Sequence, residues 1–211
     1  MHAHELLRKH QPLPLVAILR GLAADEAVAI GEALVASGFG LLEVPLNRPE
    51  ALKAIAALVS ALPSHVIVGG GTVLTIADVD AVHAAGGRLI VSPHCDVQVI
   101  GHAVQRGMVC APGVATPTEA FSALNAGAHA LKIFPAETVG PSGLKAWRSV
   151  LPPATDIWPV GGITPQSMAA WYAAGATGFG IGSLLFAPGA SAADISARGR
   201  EFMDAWKVLK R

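Results

Sequence analysis

Short apolar runs rich in β-branched residues recur eight times along the chain, and their even spacing restricts the fold more than any other feature. The runs cover residues 15–20, 41–46, 66–72, 89–93, 108–113, 130–135, 156–162 and 178–183. Successive runs begin about 19 to 26 residues apart, which leaves room for one helix and two short loops between each pair. Eight βα units in one chain predict an α/β fold of a single domain over 1–211, a (β/α)8 TIM barrel, preceded by an extra N-terminal helix over 1–11. A doubly wound open sheet shares the alternation, but no Gly-x-Gly-x-x-Gly follows the first run.

Helix signals fill the gaps. Asp25-Glu26 opens one helix, Thr116-Pro117-Thr118-Glu119 places a proline early in another, and Thr164-Pro165 repeats the device. Gly38, Gly86, Gly107, Gly127 and Gly175 stand where helices should stop. Charged residues make up only 14% of the chain and apolar ones 52%, against about 25% charged in typical domains, so much of the chain is expected to be buried on both faces. Any charge inside a strand is then informative.

Several function classes drop out. Fifteen Lys and Arg balance fifteen Asp and Glu, so no global field favours nucleic acid or an anionic membrane. Gly, Pro or charged residues interrupt every apolar stretch before about 18 residues accumulate, so no membrane span is expected. The first dozen residues carry His2, His4, Glu5, Arg8, Lys9 and His10 and lack the apolar core of a signal peptide. Cys95 and Cys110 form neither a metal-binding spacing nor a disulfide framework, which fits a cytoplasmic protein.

Three charges fall on strands. Arg20 ends the first run, Glu43 lies inside the second and Lys132 inside the sixth. Side chains alternate along a strand, so if Leu131 and Ile133 pack against helices, Lys132 points into the barrel. An ammonium there is costly unless it is paired or loses its proton, and desolvation frees the amine to attack a carbonyl. The competing reading is a structural Lys132–Glu43 ion pair plugging the barrel. Beside a reactive lysine Glu43 could move protons, Arg20 offers a donor fork for a carboxylate or phosphate, and Thr72 could add a hydroxyl at the same mouth.

The ends of the last two runs read Val160-Gly161-Gly162-Ile163 and Gly180-Ile181-Gly182-Ser183. Barrels often bind phosphate between the loops after strands seven and eight, so Gly161, Gly162, Gly182 and Ser183 are candidate donors. None of the eight histidines lies inside a strand with a second ligand nearby in sequence, so no metal site is expected. His94 alone falls near the expected mouth, and Cys110 reads as a small core residue.

These residues together resemble the 2-keto-3-deoxy-6-phosphogluconate and 2-keto-3-deoxy-6-phosphogalactonate aldolase family. The motifs that carry the likeness are Ile18-Leu19-Arg20-Gly21, Glu43-Val44-Pro45-Leu46-Asn47, residues 69–73, Lys132-Ile133-Phe134-Pro135-Ala136, Val160-Gly161-Gly162-Ile163 and Gly182-Ser183. The resemblance implies cleavage of a 2-keto-3-deoxy sugar-acid phosphate to pyruvate and glyceraldehyde 3-phosphate, without metal or organic cofactor, by a homotrimer. It implies Lys132 as the Schiff-base lysine and Glu43 as acid/base. Arg20 and Thr72 would lie at the pyruvate end, with Pro93 and Phe134 lining the pocket and the Gly-rich loops holding phosphate. The gluconate branch carries an arginine four residues after the glutamate, where this chain has Asn47 and then Arg48. A one-residue offset on an extended strand points the other way. That branch also carries Thr where this chain has Val160, so the galactonate branch is favoured. A non-covalent phosphosugar isomerase or epimerase and a non-catalytic phosphate-binding barrel remain the alternatives.

Overall fold

The computed structural model describes Leu7 and residues 15–210, where strands alternate with helices from end to end. The strands are β1 (Leu15–Ile18), β2 (Leu41–Pro45), β3 (Ile67–Gly71), β4 (Leu89–Val91), β5 (Val109–Ala111), β6 (Gly113–Val114), β7 (Ala130–Ile133), β8 (Asp156–Pro159) and β9 (Phe179–Ile181). The helices are α1 (Ala27–Ala36), α2 (Ala51–Ala61), α3 (Ile76–Ala84), α4 (Val97–Gln105), α5 (Pro117–Asn125), α6 (Ala136–Arg148), α7 (Met168–Ala173) and α8 (Ala192–Leu209). The expected leading helix lies outside the described residues except for Leu7, which is helical.

All strand pairs are parallel, and together they make a curled sheet in two ladders. One runs β5-β4-β3-β2-β1-β9 and the other β6-β7-β8. The fifth expected strand is divided because Pro112 has no N–H to offer a ladder. Its carbonyl still accepts from the Lys132 N–H at 2.9 Å. On the far side, the ladders meet in an isolated Val160–Gly180 pairing and a 2.9 Å bond from the Thr177 N–H to the Ile157 carbonyl.

The strand pleat sorts side chains into two cores. Leu42, Val44, Leu131 and Ile133 join the outer core between sheet and helices. Val16, Leu41, Ile67, Leu89, Val109 and Trp158 fill the concave side, where Leu7 also packs. Helix starts follow ordinary capping chemistry: Thr75 and Asp78 form a reciprocal capping box on α3, and Thr116 caps α5 just before Pro117. Thr164-Pro165 opens a turn closed by Ser167 before α7 begins, rather than the helix itself. The five glycines expected to stop helices all have positive φ.

Candidate active site

Loops leaving the C-terminal ends of the strands surround a cavity of about 330 Å³, and the two unusual strand charges lie beneath it. Ile18 and Arg20 from the β1 end, Phe134 after β7, and the chain after β8 and β9 form the wall. Below it, a space of about 10 Å³ is lined by Glu43, Lys132 and Trp158. Ile18, Val160 and Gly180 line both, so the deep charges open toward the mouth.

Lys132 is placed by its strand. Leu131 and Ile133 face the helices, so the lysine between them faces the concave side and is 7% exposed. Its Nζ lies 4.8 Å from the Phe134 ring centroid. Burial lowers its pKa; Glu43 opposes that shift and Arg20 adds to it.

Glu43 is 1% exposed, and no protein donor reaches its Oε2. Burial pushes its pKa up to about 7, against the pull of Lys132 and Arg20. The strand residue beside it explains how a carboxyl fits there: a Cβ on Gly71 would collide with the Glu43 carboxyl. Ion pairs join Lys53 to Glu50, Asp80 to His102 and Arg106, and Lys207 to Asp204, whereas Lys132 and Glu43 are not paired with each other. A structural plug would need that contact.

The next residue, Thr72, has φ 53°, an uncommon conformation for a β-branched side chain. Such strain concentrates at functional sites. Thr72 and Pro93 follow the ends of β3 and β4, outside the lining of either cavity, and the Pro93 carbonyl abuts Gly113 so closely that a Cβ there would clash. His94 is exposed on the same loop, while the buried Ser92 donates to the His94 carbonyl at 2.8 Å.

At the outer end, Gly161 and Gly162 have φ 115° and 61°. The Gly182 carbonyl accepts from the N–H groups of Leu185 and Phe186, so the chain after β9 turns like the start of a helix. The N–H groups opening such a turn are free to bind an anion. Gly161, Gly162, Gly182 and Ser183 all line the large cavity, and Arg20 is its one cation. Val160, 7% exposed, separates that end from the lysine.

Arg48 does not line either cavity; its Nη1 donates to the Gly21 carbonyl at 2.7 Å, tying the loop after β2 to the turn behind Arg20. Cys110 is a buried core residue whose thiol burial pushes up to about 12. Among the described residues no group of three or more His, Cys, Asp or Glu could hold a metal ion, and no helix is long and apolar enough to cross a membrane.

This arrangement suits covalent attack on a ketone, with a proton-moving carboxyl at hand and anion donors at the far end of the cavity. The family model for KDPG and KHG aldolase matches residues 5–197. The chain is 47% identical over 196 residues to a protein named probable 2-dehydro-3-deoxy-6-phosphogalactonate aldolase of Rhizobium meliloti, covering 93% of this chain and 92% of that one. It is 45% identical over 195 residues to the 2-dehydro-3-deoxy-6-phosphogalactonate aldolase of Escherichia coli, covering 92% and 95%. A solved structure described as native KDPGal superposes with a TM-score of 0.92 at 44% identity, covering 95% of this chain and 97% of that one.

Proposed function

The chain belongs to the KDPG and KHG aldolase family, and from that premise we propose that it is a class I aldolase cleaving 2-dehydro-3-deoxy-6-phosphogalactonate to pyruvate and glyceraldehyde 3-phosphate. The observation that carries this reading is a buried lysine with no carboxylate clamped to it, beneath a cavity whose wall includes Arg20 and the chain at Gly161, Gly162, Gly182 and Ser183. The unprotonated Lys132 amine attacks C2 of the keto acid, and loss of water leaves an iminium. The C4 hydroxyl gives its proton to Glu43, the C3–C4 bond breaks toward the iminium, and the aldehyde leaves. Glu43 then returns a proton to C3 of the enamine, and water releases pyruvate.

The remaining roles rest on the family resemblance: Arg20 and Thr72 serve the pyruvate end, Pro93 and Phe134 bound the pocket, and Gly161, Gly162, Gly182 and Ser183 hold phosphate. Of these, Thr72 and Pro93 lie just beyond the cavity lining and would act from its rim. Val160 lies beside the C4 region and favours the galactonate epimer. We read the two ladders as one closed (β/α)8 barrel making a single domain, in a cytoplasmic homotrimer. The exposed apolar Leu74, Ile76, Val97 and Phe121 lie near the starts of three consecutive helices and offer the self-association face.

Borohydride reduction in the presence of pyruvate tests the mechanism. It should leave a stable adduct on Lys132, and Lys132→Met should lose both the adduct and cleavage while keeping the fold. Near-normal cleavage by folded Lys132→Met would defeat the Schiff-base reading and favour non-covalent isomerase or epimerase chemistry.

A further inference from the structure

Among the described residues, three buried side-chain polar atoms lack any hydrogen-bond partner: Glu43 Oε2, Trp158 Nε1 and Trp206 Nε1. Trp206 packs in the outer core, away from the cavity. The other two belong to residues lining the same small space as Lys132. Trp158 is 4% exposed, and its Cα pairs in register with that of Lys132 across the β7–β8 ladder. Directly paired residues on a sheet point to the same face, so the indole stands beside the lysine stem on the concave side. Phe134 lies against the amine from the mouth side, at 4.8 Å.

A tryptophan is a costly choice there if its N–H has nothing to donate to. Its bulk is what the site uses. We infer that Trp158 is a positioning residue for Lys132, its indole forming the floor that holds the amine toward the outer cavity and keeps water from its underside. The inference rests on Lys132 being the nucleophile. The charged groups that act on Lys132 are Glu43 from β2 and Arg20 from the β1 end. The neighbouring Val91, Ala111, Val160 and Gly180 bring none, so exclusion of water, rather than a further charge, sets the amine's proton affinity from below.

The test measures how fast the Lys132 amine is labelled by a small acylating reagent as pH varies, with the site read by mass spectrometry. Trp158→Ala admits water, so the labelling midpoint should move to higher pH by about one unit, a roughly tenfold slower reaction at neutral pH. Trp158→Leu should move it in the same direction by less, and it decides the matter if the alanine variant does not fold. Trp158→Phe keeps an aromatic floor and loses only an unused N–H, so its midpoint should stay at the wild-type value. An unchanged midpoint in folded Trp158→Ala or Trp158→Leu overturns the inference. So does a Trp158→Phe midpoint shifted as far as that of the alanine variant, which would make the N–H the operative group. Labelling does not depend on pyruvate chemistry. Failure of wild type to trap pyruvate on Lys132 would count against the aldolase reading, while the midpoints would still decide the role of Trp158.

Discussion

Burial drives the two central ionisable groups toward each other, raising the Glu43 carboxyl to about 7 and lowering the Lys132 ammonium. The reading requires an unprotonated Glu43 for proton abstraction, so its titration should contribute about a tenfold fall in kcat/KM per unit below pH 7; Glu43→Gln removes that contribution and leaves only the limb of Lys132. That variant should also turn over about 100-fold or more slowly, with slower exchange of the pyruvate methyl protons. Stability should show the same titration. The folded pKa of Glu43 lies above its ordinary value of 4.5, so its relative contribution is complete below about pH 4.5 and is lost as pH rises through about 7. The melting-temperature advantage of Glu43→Gln over wild type should therefore be larger at pH 8 than at pH 5, and equal differences would mean that the carboxyl is not desolvated. Thr72 offers a second separation of function from stability. Thr72→Gly relieves the positive φ and should melt no lower than wild type while binding pyruvate more weakly, whereas Thr72→Val should keep the strain and lose only the hydroxyl.

Among the elements, β2 and β3 meet where the Glu43 carboxyl occupies the space a Gly71 side chain would need. Gly71→Ala should displace the carboxyl and cost about as much activity as Glu43→Gln, about 100-fold, in a folded protein. Gly101, inside α4 with open space around its Cβ, is the control: Gly101→Ala should stabilise by about 0.5–1 kcal/mol in chemical denaturation and leave turnover alone. The contrast reflects what a sequence can express. Strand order and the inward aim of Lys132 were legible because a period of two between apolar neighbours fixes the facing side. The runs reach past the observed strand ends at 19–20, 92–93, 134–135 and 160–162, since nothing in the local residue pattern marks where a strand gives way to the turn that follows it. Pro112 was the available signal for the division between β5 and β6. The alignment of Trp158 with Lys132, the nesting of Glu43 against Gly71 and the reach of Arg48 to Gly21 depend on register and on contacts distant in sequence, which no local pattern encodes.

For the whole molecule, the proposed reading makes one side chain of the cavity a candidate for substrate choice. Val160 stands between the lysine and the Gly-rich end, and its methyl packs where a Gly180 side chain would otherwise lie. Val160→Thr keeps the volume and adds a hydroxyl, so the ratio of kcat/KM for the two C4 epimers should shift toward phosphogluconate by about 2- to 12-fold. A ratio indifferent to the change would remove Val160 from substrate choice. The self-association face is checked by mass in solution, where wild type should be trimeric and a Phe121→Glu, Val97→Glu pair should yield smaller species with intact secondary structure. The two-ladder sheet bears on motion as well. Lys132 and Trp158 belong to the three-stranded ladder, which continues the other through Pro112 on one side and meets it on the other through the Val160–Gly180 pairing and the Thr177–Ile157 bond. A panel fastened by few bonds along its β8–β9 edge loosens there before the six-stranded wall does. Deuterium should therefore enter the amides of β7 and β8 earlier than those of β2 and β3, and the nucleophile would ride on the part of the molecule that breathes first.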